Sequence, residues 1–206
     1  MRILRESIPF IAIPTILAMV SAVLGLWSLV VLGVLVALFM ASFFRDPRRE
    51  PPSDQNVVVA PADGKVTRII ALDENSKDSP TLVSIFLSPL DVHINRAPIP
   101  GTIRDIVYSP GKFLIATNEN ASLVNEQNVL TIQNDRITVV CKQIAGILAR
   151  RIVCWKKKGD NLALGERFGL IKFSSRTDLV LPPNVAVTVS EGQRVRGGMT
   201  VIGRIS

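Results

Sequence analysis

Between Ser7 and Phe44 the chain runs 38 residues without a charged side chain. A bilayer's hydrocarbon core of about 30 Å takes roughly 20 residues of helix to cross. At about 1.5 Å per residue, one straight helix of the whole run would reach roughly 57 Å, far more than a crossing needs. The run therefore predicts two short spans, Ile8–Leu24 and Ser28–Phe44, turning near Gly25-Leu26-Trp27. A single tilted span is the simpler alternative. An ordinary signal peptide does not fit, because its apolar segment is only about 7–15 residues. Pro9 and Pro14 fall in the first span and are expected to kink it near its start. Arg2 and Arg5 precede the run, and Arg45, Arg48 and Arg49 follow it. The positive-inside rule then puts both flanks in the cytoplasm, with the large remaining domain on the cytoplasmic face of the cell membrane.

The anchor occupies residues 1–44, and the charged, proline-rich stretch Asp46-Pro-Arg-Arg-Glu-Pro-Pro-Ser-Asp54 makes 45–56 a linker. Residues 57–206 read as short β-rich runs divided by turn residues. The candidates are Val57–Ala60, Val66–Leu72, Thr81–Leu87, Thr102–Tyr108, Val129–Gln133, Ile137–Lys142, Ile152–Trp155, Gly169–Phe173, Leu179–Leu181 and Val185–Ser190. Asp63-Gly64 suits a tight hairpin turn between the first two, while Asn134-Asp135 and Gly159-Asp160 punctuate later runs. A weak helical pattern over Gln143–Arg151 is interrupted by Gly146. The stretch from Val185 to Gly203 has the strand, Gly-x-x-Val, Gly-Gly, strand rhythm of barrel-sandwich hybrids such as lipoyl domains. The expected fold is mainly β, of α+β class: a transmembrane helical hairpin, then a β-rich domain whose C-terminal part is barrel-sandwich-hybrid-like.

Reactive side chains are few. Cys141 and Cys154 form no CxxC pair, and one histidine leaves no zinc ligand set, so no metal is expected. The formal net charge is +7, but aromatics make up 5% of the chain. Several of these lie in the anchor, so nucleic acid is not an expected partner. Arg150-Arg151 and Lys156-Lys157-Lys158 read as a solvated face that also suits anionic headgroups. His93, in Phe86-Leu-Ser-Pro-Leu-Asp-Val-His-Ile-Asn-Arg-Ala-Pro98, lies in a loop, where an imidazole is either structural or an acid–base group. Read alone, Asp63 is a turn residue and Ser174-Ser175 a turn after a strand.

Taken together, Pro61-Ala-Asp-Gly-Lys-Val66, the Phe86–Pro98 stretch, Gln143-Ile-Ala-Gly146 with Ala149-Arg-Arg-Ile152, and Gly165-Glu-Arg-Phe-Gly-Leu-Ile-Lys-Phe-Ser-Ser-Arg176 resemble the phosphatidylserine decarboxylases. The likeness is to their short, membrane-anchored prokaryotic type. The four stretches stand in family order. The resemblance implies an inactive precursor that cuts itself between Ser174 and Ser175, giving a β chain, Met1–Ser174, and an α chain, 175–206. Ser175 would become a covalent pyruvoyl group, the only cofactor, and bind the substrate amine as a Schiff base. His93 would serve acid–base steps on the substrate, and Asp63 would help activate the serine for self-cleavage. The implied substrate is a serine-headgroup phospholipid: phosphatidylserine giving phosphatidylethanolamine, or archaetidylserine in an archaeal source. Monomer and homo-oligomer both stay open.

Two positions depart from the family pattern. Ser174 stands where glycine is usual, which bears on the strained acyl shift and opens a second register, attack by Ser174 on Phe173. Arg96 stands where longer relatives carry a second histidine, and arginine cannot be the base at neutral pH. Either His93 serves both stages or Asp63 acts without an imidazole. Two other readings remain: a non-catalytic, membrane-anchored lipid-binding module with blocked maturation, and a serine hydrolase using Ser175 and Lys172.

Overall fold

A computed structural model describes residues 2–54, 56–73, 75–76, 78–114, 121–146, 151–172 and 175–206, without the side chains of Arg2, Ala121 and Leu123. The chain divides into two compact units, Met1–Arg48 and Arg49–Ser206.

The first unit is a helical hairpin. Strand β1 (Arg2–Ile3) and a 3-10 turn lead into α1 (Ile8–Val23); α2 (Trp27–Phe43) follows, then β2 (Arg45–Asp46). β1 and β2 pair antiparallel, so the chain enters and leaves the hairpin on one side. Gly25 makes the turn at φ +72°, a left-handed backbone that favours glycine. A Cβ at Gly33 would lie 2.9 Å from both Ala18 Cβ and the Pro14 carbonyl, so this glycine lets the helices approach closely. Pro14 lies inside α1, which continues past it. Arg5–Val23, 19 residues of mean hydropathy 1.7, is long and apolar enough to cross a membrane, and the 17-residue α2 is at the short limit. The helices thus begin and end within one residue of the expected spans.

The second unit is built of strands. In chain order they are β3 (Val57–Val59), β4 (Gly64–Ala71), β5 (Thr81–Leu87), β6 (Ile94–Arg96), β7 (Gly101–Ser109), β8 (Gln127–Gln133), β9 (Thr138–Ala145), β10 (Ile152–Cys154), β11 (Asn161–Leu162), β12 (Arg167–Ile171), β13 (Ser175–Leu181), β14 (Val185–Val187), β15 (Arg194–Val195) and β16 (Val201–Ile205). One helical turn, α3 (Ala121–Val124), precedes β8. The main sheet has the order β11-β7-β8-β9-β13-β5-β4-β15, and two three-stranded sheets, β10-β12-β6 and β14-β16-β3, complete the domain. The domain is mainly β, as expected.

Two sequence expectations fail. Asp63-Gly64 does not turn a hairpin: β3 pairs with β16, whereas β4 pairs with β5 and β15. Local turn chemistry lost to long-range pairing, because β3 finds a better partner at the far end of the chain. Gln143–Ala145 is strand rather than helix, closing β9 against β8 and β13; residues 147–150 of that expectation lie outside the described residues. The Asn134-Asp135 turn does join paired strands, β8 and β9, and Asn134 Oδ1 accepts the Arg136 and Ile137 N–H groups.

Alternation along the strands sends one face inward. Leu130 and Ile132 of β8, Val139 and Cys141 of β9, Leu179 and Leu181 of β13 and Val83 and Ile85 of β5 share one buried cluster with Phe168 and Ile103. Replacing Leu130, fully buried, by Ala should cost about 2–5 kcal/mol. The check is a lower urea midpoint in the fluorescence of the detergent-solubilised protein, with secondary structure unchanged in the absence of urea.

Candidate active site

The inward face changes character along each central strand. On β8 it runs from Ile132 and Leu130 to Asn128, and on β9 from Val139 and Cys141 to Gln143. On β13 it runs from Leu181 and Leu179 to Thr177 and Ser175. Register aligns these changes: Leu179 stands opposite Cys141, Thr177 opposite Gln143, and Gln143 opposite Asn128. One end of the interior is hydrocarbon and the other is polar.

Buried polar groups need partners, and here they form a chain. Asn128 Nδ2 donates to Gln143 Oε1, Gln143 Nε2 to Asn95 Oδ1, and Asn95 Nδ2 to Thr177 Oγ1, each at 2.9 Å. Gly169 makes room for it, since a Cβ there would lie 2.8 Å from Gln143 Nε2. The chain ties β6 of a small sheet to β13, β9 and β8 of the large one.

Ser175 opens β13, fully buried, with Leu87 of β5 and Ala145 of β9 as its register partners. Its Oγ has no hydrogen-bond partner among the described residues. Ser174 and Phe173 lie outside those residues. On the other side of Leu87 the main sheet continues to β4, where Lys65 stands opposite Phe86 and Gly64 has no room for a Cβ beside the Phe86 carbonyl. With strands about 4.8 Å apart, the backbones at Ser175 and Gly64 flank the end of β5 at roughly 10 Å. Asp63 immediately precedes Gly64.

The loop leaving β5 brings the imidazole. The Ser88 N–H donates to Asp91 Oδ2 at 2.8 Å, folding the loop back so that His93 follows at once. His93 is buried and its Nδ1 lies 2.9 Å from the Asp91 carbonyl. A carbonyl only accepts, so Nδ1 carries a proton, and in the neutral form of the ring the lone pair falls on Nε2. The His93 carbonyl accepts the Ile171 N–H at 3.2 Å, and Ile171 packs on Ala145, the neighbour of Ser175. Asp63, His93 and Ser175 are thus each carried by an element that adjoins the end of β5.

Asp63 is a partly buried carboxylate with two donors. Arg49 Nη2 donates to Oδ2 at 2.6 Å, and the Gly197 N–H to Oδ1 at 2.8 Å. Burial pushes its pKa above the usual carboxylate range; Arg49 and the Gly197 N–H pull it down, and Asp91 adds a smaller upward push. Asp91 in turn pairs with Arg194 at 3.0 Å. Arg96 donates to the Gly165 carbonyl at 3.1 Å.

The basic segment is partly engaged: Lys156 pairs with Glu166 at 2.5 Å and holds that carboxyl below its ordinary pKa, and Lys158 reaches Asp105 at 3.3 Å. Both cysteines are free thiols, each raised in pKa chiefly by burial. Arg49, Asp91 and the amide chain escaped the sequence reading. One signal was available: Asn95 stands two residues from His93, and Thr177 two from Ser175, the spacing that puts strand residues on one face.

A sequence model of phosphatidylserine decarboxylases matches residues 36–203. The chain belongs to the phosphatidylserine decarboxylase family. A phosphatidylserine decarboxylase proenzyme of Solibacter usitatus is 50% identical over 171 residues, 83% of this chain and 81% of that one. Proenzymes of the same name from Geotalea uraniireducens and Carboxydothermus hydrogenoformans are 44% and 43% identical, each over 98% of this chain and 95% of their own length. In this member of the family the amide chain is a structural tie whose removal can be measured. Gln143→Leu removes the Gln143 partner of Asn95 Oδ1 and of Asn128 Nδ2, at about 1–3 kcal/mol each. Its melting temperature should fall by several degrees, and Asn95→Leu combined with it should cost less than the sum of the two single changes.

Proposed function

We propose that the chain is a precursor that cuts itself between Ser174 and Ser175 and then decarboxylates phosphatidylserine to phosphatidylethanolamine. The reading is supported by the buried Ser175 Oγ, which has no hydrogen-bond partner among the described residues, at the head of a central strand paired with β5, the strand that leads to His93. The arginine flanks favour a cytoplasmic domain on the cell membrane.

Self-cleavage needs only this chain's own atoms. Ser175 Oγ adds to the carbonyl carbon of Ser174 as its proton passes to a base, and the C–N bond breaks to leave an ester and a free amine on 175. Loss of the Cα proton and of the Ser174 carboxylate frees the β chain, Met1–Ser174. Water then replaces the nitrogen, which departs as ammonia, and the α chain, 175–206, begins with a pyruvoyl group. The residues fit such a group: β13 is in register with β5 and β9 from its first residue, and no described side chain bonds to the Ser175 oxygen. When present, the pyruvoyl carbonyl supplies the electron sink that decarboxylation requires and that no side chain offers.

Asp63 takes up the proton of Ser175 during cleavage. His93, with Nδ1–H fixed on the Asp91 carbonyl, has Nε2 to take up and release a proton and serves the proton steps on the substrate. Burial of the polar end keeps bulk water from these groups.

Under denaturing conditions, intact mass should show a fragment beginning at 175 and lighter by one ammonia than hydrolysis would give. Ser175→Ala should stay full length, and a wild-type chain that also stays full length would sink the reading. His93→Ala should mature yet lose decarboxylation by about 100-fold or more. Asp63 is a base only when ionised, and burial raises its pKa. Cleavage should therefore slow on acidification at a pH above the ordinary carboxylate range, measured as precursor decay across a pH series.

A further inference from the structure

Arg48 and Arg49 stand side by side in the basic flank after the anchor, but Arg48 is exposed while the Arg49 side chain is only 9% exposed. Arg49 Nη2 donates to Asp63 Oδ2 at 2.6 Å, Nη1 lies 3.6 Å from Met199 Sδ, and the buried Nε has no hydrogen-bond partner among the described residues. A charge that merely orients an anchor has no reason to be buried. Burying a guanidinium is costly, and a hydrogen-bonded counter-charge is what offsets it.

The surroundings of Asp63 say what that counter-charge does in return. The Gly197 N–H approaches from the turn after β15, and the Asp91 carboxylate acts from the loop before His93, itself paired with Arg194 of β15. Arg96 runs past Gly198, where a Cβ would lie 2.9 Å from Arg96 Cδ, and donates to the Gly165 carbonyl. Burial and Asp91 both favour the protonated carboxyl; the Arg49 guanidinium is the largest opposing influence.

We propose that Arg49 is a positioning residue for self-cleavage, gripping Asp63 Oδ2 so that the carboxylate stays charged and aimed, in a site whose sequence leaves the aspartate without a second imidazole. The inference rests on the proposed part of Asp63 in maturation. It also gives the segment leaving the anchor a task in the chemistry: cleavage competence depends on residue 49 being drawn into the domain.

The test follows precursor decay in freshly synthesised full-length protein in detergent, across a pH series, for wild type, Arg49→Gln, Arg49→Lys, Arg48→Gln and Asp63→Asn. Arg49→Gln should move the profile up by about one pH unit, so that cleavage is about tenfold slower on its acid limb and recovers at higher pH. Arg49→Lys, which keeps the charge but not the fork, should keep the profile near its wild-type position. Arg48→Gln should match wild type. A second readout needs no cleavage: in the Ser175→Ala chain labelled with carbon-13 at aspartate carboxyls, Arg49→Gln should raise the titration midpoint of the signal that Asp63→Asn removes. Slowing by the same factor at every pH, with that midpoint unmoved, would reduce Arg49 to a packing residue and overturn the proposal. Wild-type cleavage by Asp63→Asn would instead overturn the role of Asp63 itself, and the carbon-13 midpoint tells the two failures apart.

Discussion

The domain depends on the pairing of β13. Its seven residues, Ser175–Leu181, are matched to β5 along their whole length, and six of them to β9 on the other side. Both flanking ladders start at the first residue, so Ser175 has a register partner on each side. A break just before this strand would leave its pairing with β5 and β9 in place. The same strand carries a buried ion pair on its opposite face, Arg176 with Asp178 at 2.9 Å. Two residues apart on a strand, they share a face.

A second constraint is the graded interior. A wholly aliphatic core would be easier to satisfy, because each buried amide must find a partner or cost about 1–3 kcal/mol. Here the amides of Asn128, Gln143 and Asn95 and the Thr177 hydroxyl are joined end to end. The polar end is thereby buried with its amides paired to one another. The chain also crosses between sheets, so the loop that carries His93 and the strand that carries Ser175 are held to one geometry.

The carboxylate of Asp63 stands in tension with its burial. Burial favours its neutral form while Arg49 and the Gly197 N–H favour the charged one. Such opposed influences are typical where a group must change protonation during a reaction.

Much of this was legible in the sequence. The uncharged 38-residue run dictated the helical hairpin to within a residue, since helix length and bilayer thickness are local quantities. Period-2 runs rich in β-branched residues marked most strands, and the Asp63, His93 and Ser174-Ser175 stretches carried the family resemblance that the comparisons bear out. What stayed hidden depended on partners distant in the chain. Asp63-Gly64 looks like a hairpin turn until β3 pairs with β16, and Gln143 looks helical until β8 and β13 claim it. The union of Asp63 with Arg49 and Gly197 spans contacts that no spacing rule encodes. Residue types and their periodicity determined which elements form and which side chains are capable of chemistry. Only the tertiary fold decided which of them meet, because register between strands far apart in sequence sets the position, burial and charge partners of each group.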